Sequence, residues 1–286
     1  MKVLITGARG QLGRALTEAA RIRGHRVHAL GRSELDISDP GSLSEAIVRT
    51  APDWVFNCAA YTAVDAAEDN PAQATEVNAT AVSHLSQQAR ERGFRILQPS
   101  TDYVFGHPAS SPLTETDTPA PLNAYGRSKL EGERALDGDA GALVVRTSWL
   151  YDHRGGNFVT TIRRLAAERG ELSVVDDQRG CPTYAPALSR VMLDLVEAGA
   201  TGVWHASGSG DTTWHGFALA IVEELSRRDL PGGTARVLPI STATFGARAE
   251  RPAYSVLSNA KLNRFLGEGL PPWRESLTRC IDASDA

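Results

Sequence analysis

The chain has 286 residues, of which 42% are hydrophobic and 22% are charged, and its formal net charge is −4. This length predicts one large domain or two interlocked ones, and the lack of a strong positive charge argues against nucleic-acid binding. No apolar run approaches the ~20 residues of a membrane span, and the three cysteines are too widely spaced for a disulfide framework or a zinc motif, so we expect a cytoplasmic protein.

Short apolar runs alternate with helical patterns through the first half of the chain. Strands are predicted at residues 2–6, 26–30, 53–59, 95–99 and 142–149. Helices are predicted at residues 12–23, 43–50, 72–92 and 124–136. This order predicts an α/β fold with a Rossmann-type, doubly wound parallel sheet that is covered by helices on both faces.

The second half of the chain is less regular. Helices are predicted near residues 158–168, 186–197, 217–228 and 272–280, and a short strand at 202–206 is expected to rejoin the sheet. We therefore expect a smaller substrate-binding domain that is interwoven with the first domain. The predicted division gives residues 1–150 and 186–206 to a dinucleotide-binding domain, and residues 151–185 and 207–286 to the substrate-binding domain.

A glycine-rich turn follows the first predicted strand and opens the first predicted helix. Its pattern is G-x-x-G-x-x-G, and glycines in this context let a pyrophosphate approach the backbone at a helix N-terminus. The alternative is an ordinary glycine-rich turn between a strand and a helix. The candidate cofactor-binding residues here are Gly7, Arg9, Gly10, Gln11, Leu12 and Gly13.

The end of the second strand bears on the choice of cofactor. A carboxylate there would bind the ribose 2′-hydroxyl of NAD, but this chain has Arg32, which suits a 2′-phosphate. With Arg9 nearby, the sequence favours NADPH, with NADH as a second possible cofactor, unless both arginines are only solvated surface residues. The other candidates for the cofactor site are Asp36 and Ile37, which would frame the adenine, and Ala59, Ala60 and Tyr61 at the end of the third strand.

Tyr125 and Lys129 form a Y-x-x-x-K motif on a predicted helix. Their i, i+4 spacing puts the phenol and the ammonium on one face, where the cation would lower the pKa of Tyr125. Thr101 ends the strand before this helix, at the edge of the sheet where ligands bind. Its hydroxyl could bond a substrate carbonyl beside Tyr125, as could that of Ser100. The alternatives are an exposed helical pair and a turn-capping threonine.

The glycine turn, Asn78, Thr101, Tyr125 and Lys129 together resemble the extended short-chain dehydrogenases/reductases. Six further blocks narrow the resemblance to the dTDP-4-dehydrorhamnose reductases within that group. The blocks lie in order at residues 57–65, 100–105, 146–149, 156–158, 177–183 and 251–255, and the resemblance covers essentially the whole chain.

The resemblance implies reduction of the 4-keto group of dTDP-4-dehydro-6-deoxy-L-mannose by NADPH or NADH. In that role Tyr125 would donate the proton, Thr101 would bond the same oxygen, and Lys129 would hold the nicotinamide ribose. Asn78 would belong to the cofactor site. The implied substrate-binding residues are Val64, Asp65, Thr101, Asp102, Tyr125, Trp149, Asn157, Arg251 and Trp273.

Several of these substrate residues have plainer interpretations. Asp65 would serve equally as a helix cap, and Asn157 as a turn residue. Trp149 and Trp273 would serve as core aromatics. Arg251 suits a diphosphate because arginine binds phosphate through two donors, and a surface salt bridge is the alternative.

The chain also departs from the family. Some members are described as dimers bridged by Mg²⁺ through glutamates, one of them just after the glycine turn, where this chain has Arg14 and Ala15 and no carboxylate before Glu18. We therefore expect no metal, and a monomer or a homodimer without a metal bridge.

Two other functions remain open at this point. A nucleotide-sugar epimerase or dehydratase retains NAD and usually has an acid where this chain has Arg32, and a dehydratase usually has Asp-Glu where this chain has Asp102 and Tyr103. A regulatory subunit of methionine adenosyltransferase is similar in sequence and acts by binding a partner, but it would not need Thr101, Tyr125 and Lys129.

Overall fold

The computed structural model describes residues 1–136, 138 and 141–284, which contain twelve strands and twelve α-helices. The strands are β1 (Lys2–Thr6), β2 (Arg26–Ala29), β3 (Trp54–Asn57), β4 (Arg95–Thr101), β5 (Ala142–Thr147), β6 (Leu150–Tyr151), β7 (Glu171–Val175), β8 (Arg179–Gly180), β9 (Thr183–Tyr184), β10 (Gly202–His205), β11 (Thr212–Thr213) and β12 (Arg236–Ile240).

The helices lie between and after these strands. They are α1 (Gln11–Ile22), α2 (Pro40–Thr50), α3 (Val64–Asp69), α4 (Pro71–Thr75), α5 (Ala81–Arg92), α6 (Ala124–Arg134), α7 (Phe158–Arg169), α8 (Ala185–Glu197), α9 (Trp214–Arg227), α10 (Thr242–Phe245), α11 (Ala260–Leu266) and α12 (Trp273–Ser284). A π-helical segment (Glu76–Thr80) joins α4 to α5, and a 3-10 turn (Asp102–Val104) follows β4.

Six strands form one parallel sheet in the order β10-β5-β4-β3-β1-β2. The chain runs outward from β1 to β2 and then returns to β3 on the other side of β1. The strand order thus reverses at β1, the position where open α/β sheets bind ligands at the carboxyl ends of their strands. This topology confirms the predicted Rossmann-type sheet.

The strands of this sheet are buried on both faces. In β1, Val3 and Ile5 belong to one hydrophobic core and Leu4 to another, and all three are 0% exposed. Successive residues of a strand point to opposite faces, so both faces must be covered. Helices α1 and α8 supply the first core, and α2 and α5 supply the second.

The predicted elements of the first half are confirmed with changed ends. The third strand stops at Asn57 and the fifth at Thr147, both short of the predicted ends. The helix predicted at 72–92 runs from Pro71 to Arg92, and it contains the π-helical segment that the sequence did not predict. Helix α3 was not predicted either.

In the second half, the four predicted helices correspond to α7, α8, α9 and α12, and the strand predicted at 202–206 rejoins the sheet as β10 beside β5. The parallel pair of β7 and β12 was not predicted. Among the described residues, no helix combines the length and the apolar character that crossing a membrane requires.

Candidate active site

The glycine turn brings the end of β1 against the end of β3. Gly7 has a φ of +57°, and a Cβ there would lie 2.6 Å from the Ala59 nitrogen. A Cβ on Gly13 would overlap the carbonyl oxygen of Gly7, so the first turn of α1 packs directly on the loop. The Gly10 amide donates to the same carbonyl at 2.9 Å. The turn therefore needs glycine at 7 and at 13 for close backbone approach.

A cleft of about 400 Å³ opens beside this turn. Nine of the predicted cofactor residues line it: Gly7, Arg9, Gly10, Arg32, Asp36, Ile37, Ala59, Ala60 and Tyr61. Five further residues line it that the sequence analysis missed: Leu35, Ser38, Cys58, Gln73 and Val77. The spacing of Gln73 and Val77 was a usable signal, because residues four apart share one face of a helix.

Three predicted cofactor residues at the start of α1 do not line the cleft with side chains. The Leu12 side chain is 7% exposed and packs in the core, so only the backbone of Leu12 can face a cofactor, and its cofactor role stays a prediction. Gly13 serves the packing of the turn. The Gln11 Oε1 atom is buried and has no hydrogen-bond partner among the described residues, so it is an acceptor available beside the turn.

Charged residues surround the far end of the cleft, after β2. Arg32 is exposed and lines the cleft. The Arg9 Nη2 atom lies 3.3 Å from Glu34 Oε2, and the Gly31 amide donates to the same oxygen at 2.9 Å. The amide hydrogen bond, followed by the arginine, lowers the pKa of Glu34. The sequence analysis did not single out Glu34.

Asn78 lies in the π-helical segment and binds the backbone of Tyr61, a residue that lines the cleft. Its Oδ1 accepts from the Tyr61 amide and its Nδ2 donates to the Tyr61 carbonyl, both at 2.9 Å, and Nδ2 also reaches the Ser128 hydroxyl. Asn78 is 2% exposed and does not line the cleft. Asn78 therefore positions Tyr61, which lines the cleft, and its own place in the cofactor site stays a prediction.

Thr101 and Tyr125 meet at the end of β4. Thr101 is its last residue, and Tyr125 lies in the first turn of α6. A Cβ on Gly126 would overlap the Tyr103 carbonyl, so this glycine lets the helix rest on the 3-10 turn. The Asn123 side chain caps α6 by accepting from the Gly126 amide at 2.8 Å. The Thr101 hydroxyl lies close enough to the Tyr125 phenol to lower the pKa of that phenol.

The protonation of Tyr125 differs from the prediction. Burial raises its pKa to about 12, and Asp102 adds to the increase, while the bond with Thr101 acts in the opposite sense. Lys129 does not lower it, because the Lys129 ammonium donates instead to the Pro99 carbonyl at 2.8 Å. Burial lowers the pKa of Lys129 to about 8. The expected tuning of Tyr125 by Lys129 is therefore absent from this geometry.

A buried ionic network lies next to Thr101 and Tyr125, and the sequence analysis missed it. Glu133 follows Lys129 by one helical turn and is 6% exposed. It accepts from Arg146 Nη2 at 2.6 Å and from the Ser100 hydroxyl. Ser100 therefore holds the strand from behind, and Thr101 alone faces Tyr125. The i, i+4 spacing of Lys129 and Glu133 was the available signal.

Asp102 is a buried carboxyl next to Thr101. It is 2% exposed, its Oδ1 accepts from the Thr101 hydroxyl at 3.1 Å, and its Oδ2 has no partner among the described residues. Burial raises the pKa of Asp102 to about 7, against hydrogen bonds from Ser255 and Thr101. An unpaired buried oxygen costs free energy, which makes it available to a ligand hydroxyl.

Trp149 has an unusual backbone conformation, with a φ of +46°. Its ring stacks on Trp214 with centroids 3.6 Å apart and planes at 6°. A Cβ on Gly180 would lie 2.5 Å from the Trp149 ring, so the ring is also packed against that glycine. A bulky residue at positive φ is costly and marks a position held by its surroundings. The sequence analysis predicted Trp149 but missed Trp214.

Asp65 and Arg251 contact each other. The Arg251 Nη2 atom lies 2.7 Å from Asp65 Oδ2, and Nη1 lies 3.2 Å from Oδ1. The hydrogen bond from Arg251 lowers the pKa of Asp65. The pair ties α3, which opens with the half-buried Val64, to the segment after α10. A second cleft, of about 560 Å³, is lined by Arg251 and includes residues 177–178 and 246–251.

Two predicted substrate residues have other roles. The Asn157 side chain caps α7, accepting from the Thr160 amide at 3.1 Å and donating to the Asp152 carbonyl at 2.7 Å. Trp273 is 7% exposed and packs edge-on against Phe217 in the core. The plainer interpretations, a turn residue and a core aromatic, fit these contacts, and the place of both residues in the substrate site stays a prediction.

The family model described as RmlD substrate binding domain matches residues 1–286. The chain is 43% identical to the dTDP-4-dehydrorhamnose reductase of Burkholderia thailandensis over 98% of each protein. It is similar to the solved structure of a dTDP-4-dehydrorhamnose reductase from Clostridium acetobutylicum, with a TM-score of 0.94, 37% identity and 100% of both chains covered. It is also similar to that of a Bacillus anthracis dTDP-4-dehydrorhamnose reductase in complex with NADP, with a TM-score of 0.92 and 36% identity over 99% of this chain and 100% of that one.

Proposed function

This chain belongs to the family of the RmlD substrate binding domain, and on that premise we propose that it reduces the 4-keto group of dTDP-4-dehydrorhamnose to give dTDP-L-rhamnose. The reductant is NADPH, and NADH is a second cofactor. The observation that carries the proposal is the pair of hydroxyls of Thr101 and Tyr125, which meet at the carboxyl end of a parallel strand.

The residues beside this pair fit a dinucleotide. Gly7 and Gly13 allow a close backbone cradle that any Cβ would fill, and the start of α1 directs its amides toward it. Arg9 and Arg32 supply positive charge for a 2′-phosphate. When bound there, NADPH supplies the hydride, and the remaining chemistry belongs to the protein.

Tyr125 is the proton donor in this mechanism. With a pKa of about 12 it is protonated at neutral pH. Its O–H bond breaks as the proton passes to the carbonyl oxygen of the substrate, which becomes the hydroxyl of the product. Thr101 donates a hydrogen bond to the same oxygen and stabilises its developing negative charge. Lys129 holds the cofactor ribose through the ammonium donors that its bond to the Pro99 carbonyl leaves over.

The sugar lies near Val64, Asp102 and Trp149 in this proposal. The unpaired Asp102 Oδ2 accepts from a sugar hydroxyl, and Trp149 offers an apolar wall held in place by Trp214. The substrate diphosphate binds Arg251, with Asp65 as the partner that it displaces.

We also propose the division of labour expected from the sequence. Residues 1–150 and 186–206 bind the dinucleotide, and residues 151–185 and 207–286 bind the substrate. Residues 285 and 286 lie outside the described residues. The enzyme is proposed to be cytoplasmic and a monomer or homodimer without a metal bridge. In support, Cys58, Cys181 and Cys280 are all free thiols.

A coupled assay tests the activity. The 4-keto sugar nucleotide is made in situ by an upstream epimerase, and the loss of NADPH absorbance is followed together with the sugar product. We expect stoichiometric oxidation of NADPH and formation of dTDP-L-rhamnose. No oxidation, with NAD already bound to the purified protein, would instead support an epimerase or dehydratase.

A further inference from the structure

We infer that Glu34 sets the coenzyme preference of this protein, because its carboxylate occupies the donors that a 2′-phosphate requires. The inference rests on the proposed use of NADPH. It assigns Glu34 a specificity role that opposes Arg9 and Arg32: the two arginines attract a 2′-phosphate, and the carboxylate repels it.

The contacts of Glu34 form an ordered group. Its Oε2 accepts from the Gly31 amide at 2.9 Å and from Arg9 Nη2 at 3.3 Å. The Arg9 side chain lies across Gly31, since a Cβ there would stand 2.8–2.9 Å from three Arg9 side-chain atoms. Glycine at 31 therefore leaves room for the Arg9 side chain in this position.

This group stands beside the cleft that is proposed to hold the cofactor: Arg9 lines the cleft, while Gly31 and Glu34 lie next to lining residues. Gly31 follows β2, and its neighbours Arg32, Leu35 and Asp36 all line the cleft. An amide and a guanidinium are the donors that bind a phosphate best, and here one carboxylate already holds both.

The two cofactors meet this carboxylate differently. A phosphate must displace Glu34 from Arg9 or remain beside it, and either case costs free energy through lost pairing or like-charge repulsion. A ribose 2′-hydroxyl meets no such penalty, because a carboxylate accepts its hydrogen bond. The charge of Glu34 therefore weakens NADPH binding and leaves NADH binding nearly unaffected.

The test measures the binding of cofactors and their fragments, without turnover. Titration calorimetry compares 2′,5′-ADP with 5′-AMP, and protein fluorescence compares NADPH with NADH, for the wild type and E34Q. We expect E34Q to bind 2′,5′-ADP and NADPH about 3–10-fold more tightly at low ionic strength, with 5′-AMP and NADH changed less than about twofold. The gain should shrink as salt screens the charge.

The matched control is E45Q, which makes the same charge change on the exposed face of α2, where Glu45 pairs with Arg49 at 3.9 Å. It should leave all four dissociation constants unchanged. One result would overturn the role of Glu34 alone. In it, the wild type binds 2′,5′-ADP more tightly than 5′-AMP, but E34Q and the wild type bind 2′,5′-ADP equally.

The Arg32→Ala variant separates this inference from the cofactor assignment. It should weaken 2′,5′-ADP and NADPH far more than 5′-AMP and NADH. If the wild type binds none of the four ligands, or if Arg32→Ala weakens both pairs equally, the assigned 2′-phosphate site itself is wrong, and the inference about Glu34 is overturned with it.

Discussion

Tyr125 is the residue on which the proposed chemistry depends most directly. Tyr125→Phe keeps the ring and its edge contact with Tyr103, whose centroid lies 6.0 Å away, and removes only the hydroxyl. We expect kcat to fall at least ~100-fold, the usual contribution of a general acid, while NADPH binds with an unchanged dissociation constant. Steady-state kinetics and fluorescence titration measure the two quantities. Near-normal turnover would remove Tyr125 from the role of proton donor.

Asp102 gives a stability prediction whose sign follows from its burial. Its pKa in the folded protein, about 7, lies above the ordinary value of 3.8, so the folded state holds more protons than the unfolded chain between these two pH values. Its contribution to the free energy of unfolding is therefore full below about pH 4 and is lost as pH rises through 7. Asp102→Asn is neutral at every pH, so its free energy of unfolding should exceed that of the wild type by about 2–4 kcal/mol at pH 8.

Denaturant unfolding at pH 4 and pH 8 measures this difference. At pH 4 the variant and the wild type should be nearly equal in stability. Asp177→Asn is the control of opposite sign, because hydrogen bonds from Thr242 lower the pKa of Asp177. That variant should gain nothing at pH 8. A constant difference between Asp102→Asn and the wild type at both pH values would mean that Asp102 does not titrate between them.

At the scale of elements, the helices and strands that could be predicted are those marked by a pattern within a short stretch of sequence. The strands of the main sheet and the glycine turn were predictable because apolar runs and glycine spacing are read within a few residues. The π-helical segment was not, because the contacts made within it, those of Asn78 with Tyr61, join residues 17 positions apart and leave no local pattern. The pairing of β7 with β12 was also unpredictable, because its partners lie far apart in the chain.

Helix α6 carries both Tyr125 and Lys129, and its position depends on a glycine. A Cβ on Gly132 would overlap the Asn78 carbonyl oxygen in the π-helical segment. Gly132→Ala should therefore lower the free energy of unfolding by about 1–3 kcal/mol, the usual cost of overpacking. It should also lower kcat, because the helix that positions Tyr125 must move.

Thermal unfolding and steady-state kinetics measure both effects. The matched control is Gly156→Ala, at an exposed glycine where a Cβ would meet nothing within 4 Å. It should leave Tm and kcat unchanged. A Gly132→Ala variant as stable and active as the wild type would show that α6 and the π-helical segment separate without cost.

At the scale of the whole molecule, the site joins segments that are distant in sequence. Asp65, in the first half of the chain, contacts Arg251, which lies 186 positions later. Asn123, the cap of α6, also donates to the Glu250 carbonyl at 2.8 Å. The sequence indicated Asp65 and Arg251 separately as substrate residues. It did not indicate their pairing, because nothing local to either residue specifies a partner so far along the chain.

This pairing permits a test of whether Arg251 serves the substrate or only the fold. If the substrate diphosphate takes Arg251 from Asp65, Arg251→Ala should raise KM for the sugar nucleotide about 10–100-fold and leave the dissociation constant of NADPH unchanged. Asp65→Asn should keep KM near that of the wild type or below it, because it frees the guanidinium. A purely structural pair predicts the same loss in both variants.

Arg164→Ala is the control for this comparison. Arg164 forms an ion pair with Glu168 on α7, both side chains are more than half exposed, and exposed pairs contribute little to stability. Its removal should change neither KM nor Tm. Equal increases of KM in Arg251→Ala and Asp65→Asn, with equal falls in Tm, would give Arg251 a purely structural role as the partner of Asp65. A KM that rises in Arg251→Ala alone would indicate that Arg251 binds the diphosphate, and that the ion pair with Asp65 breaks when substrate binds.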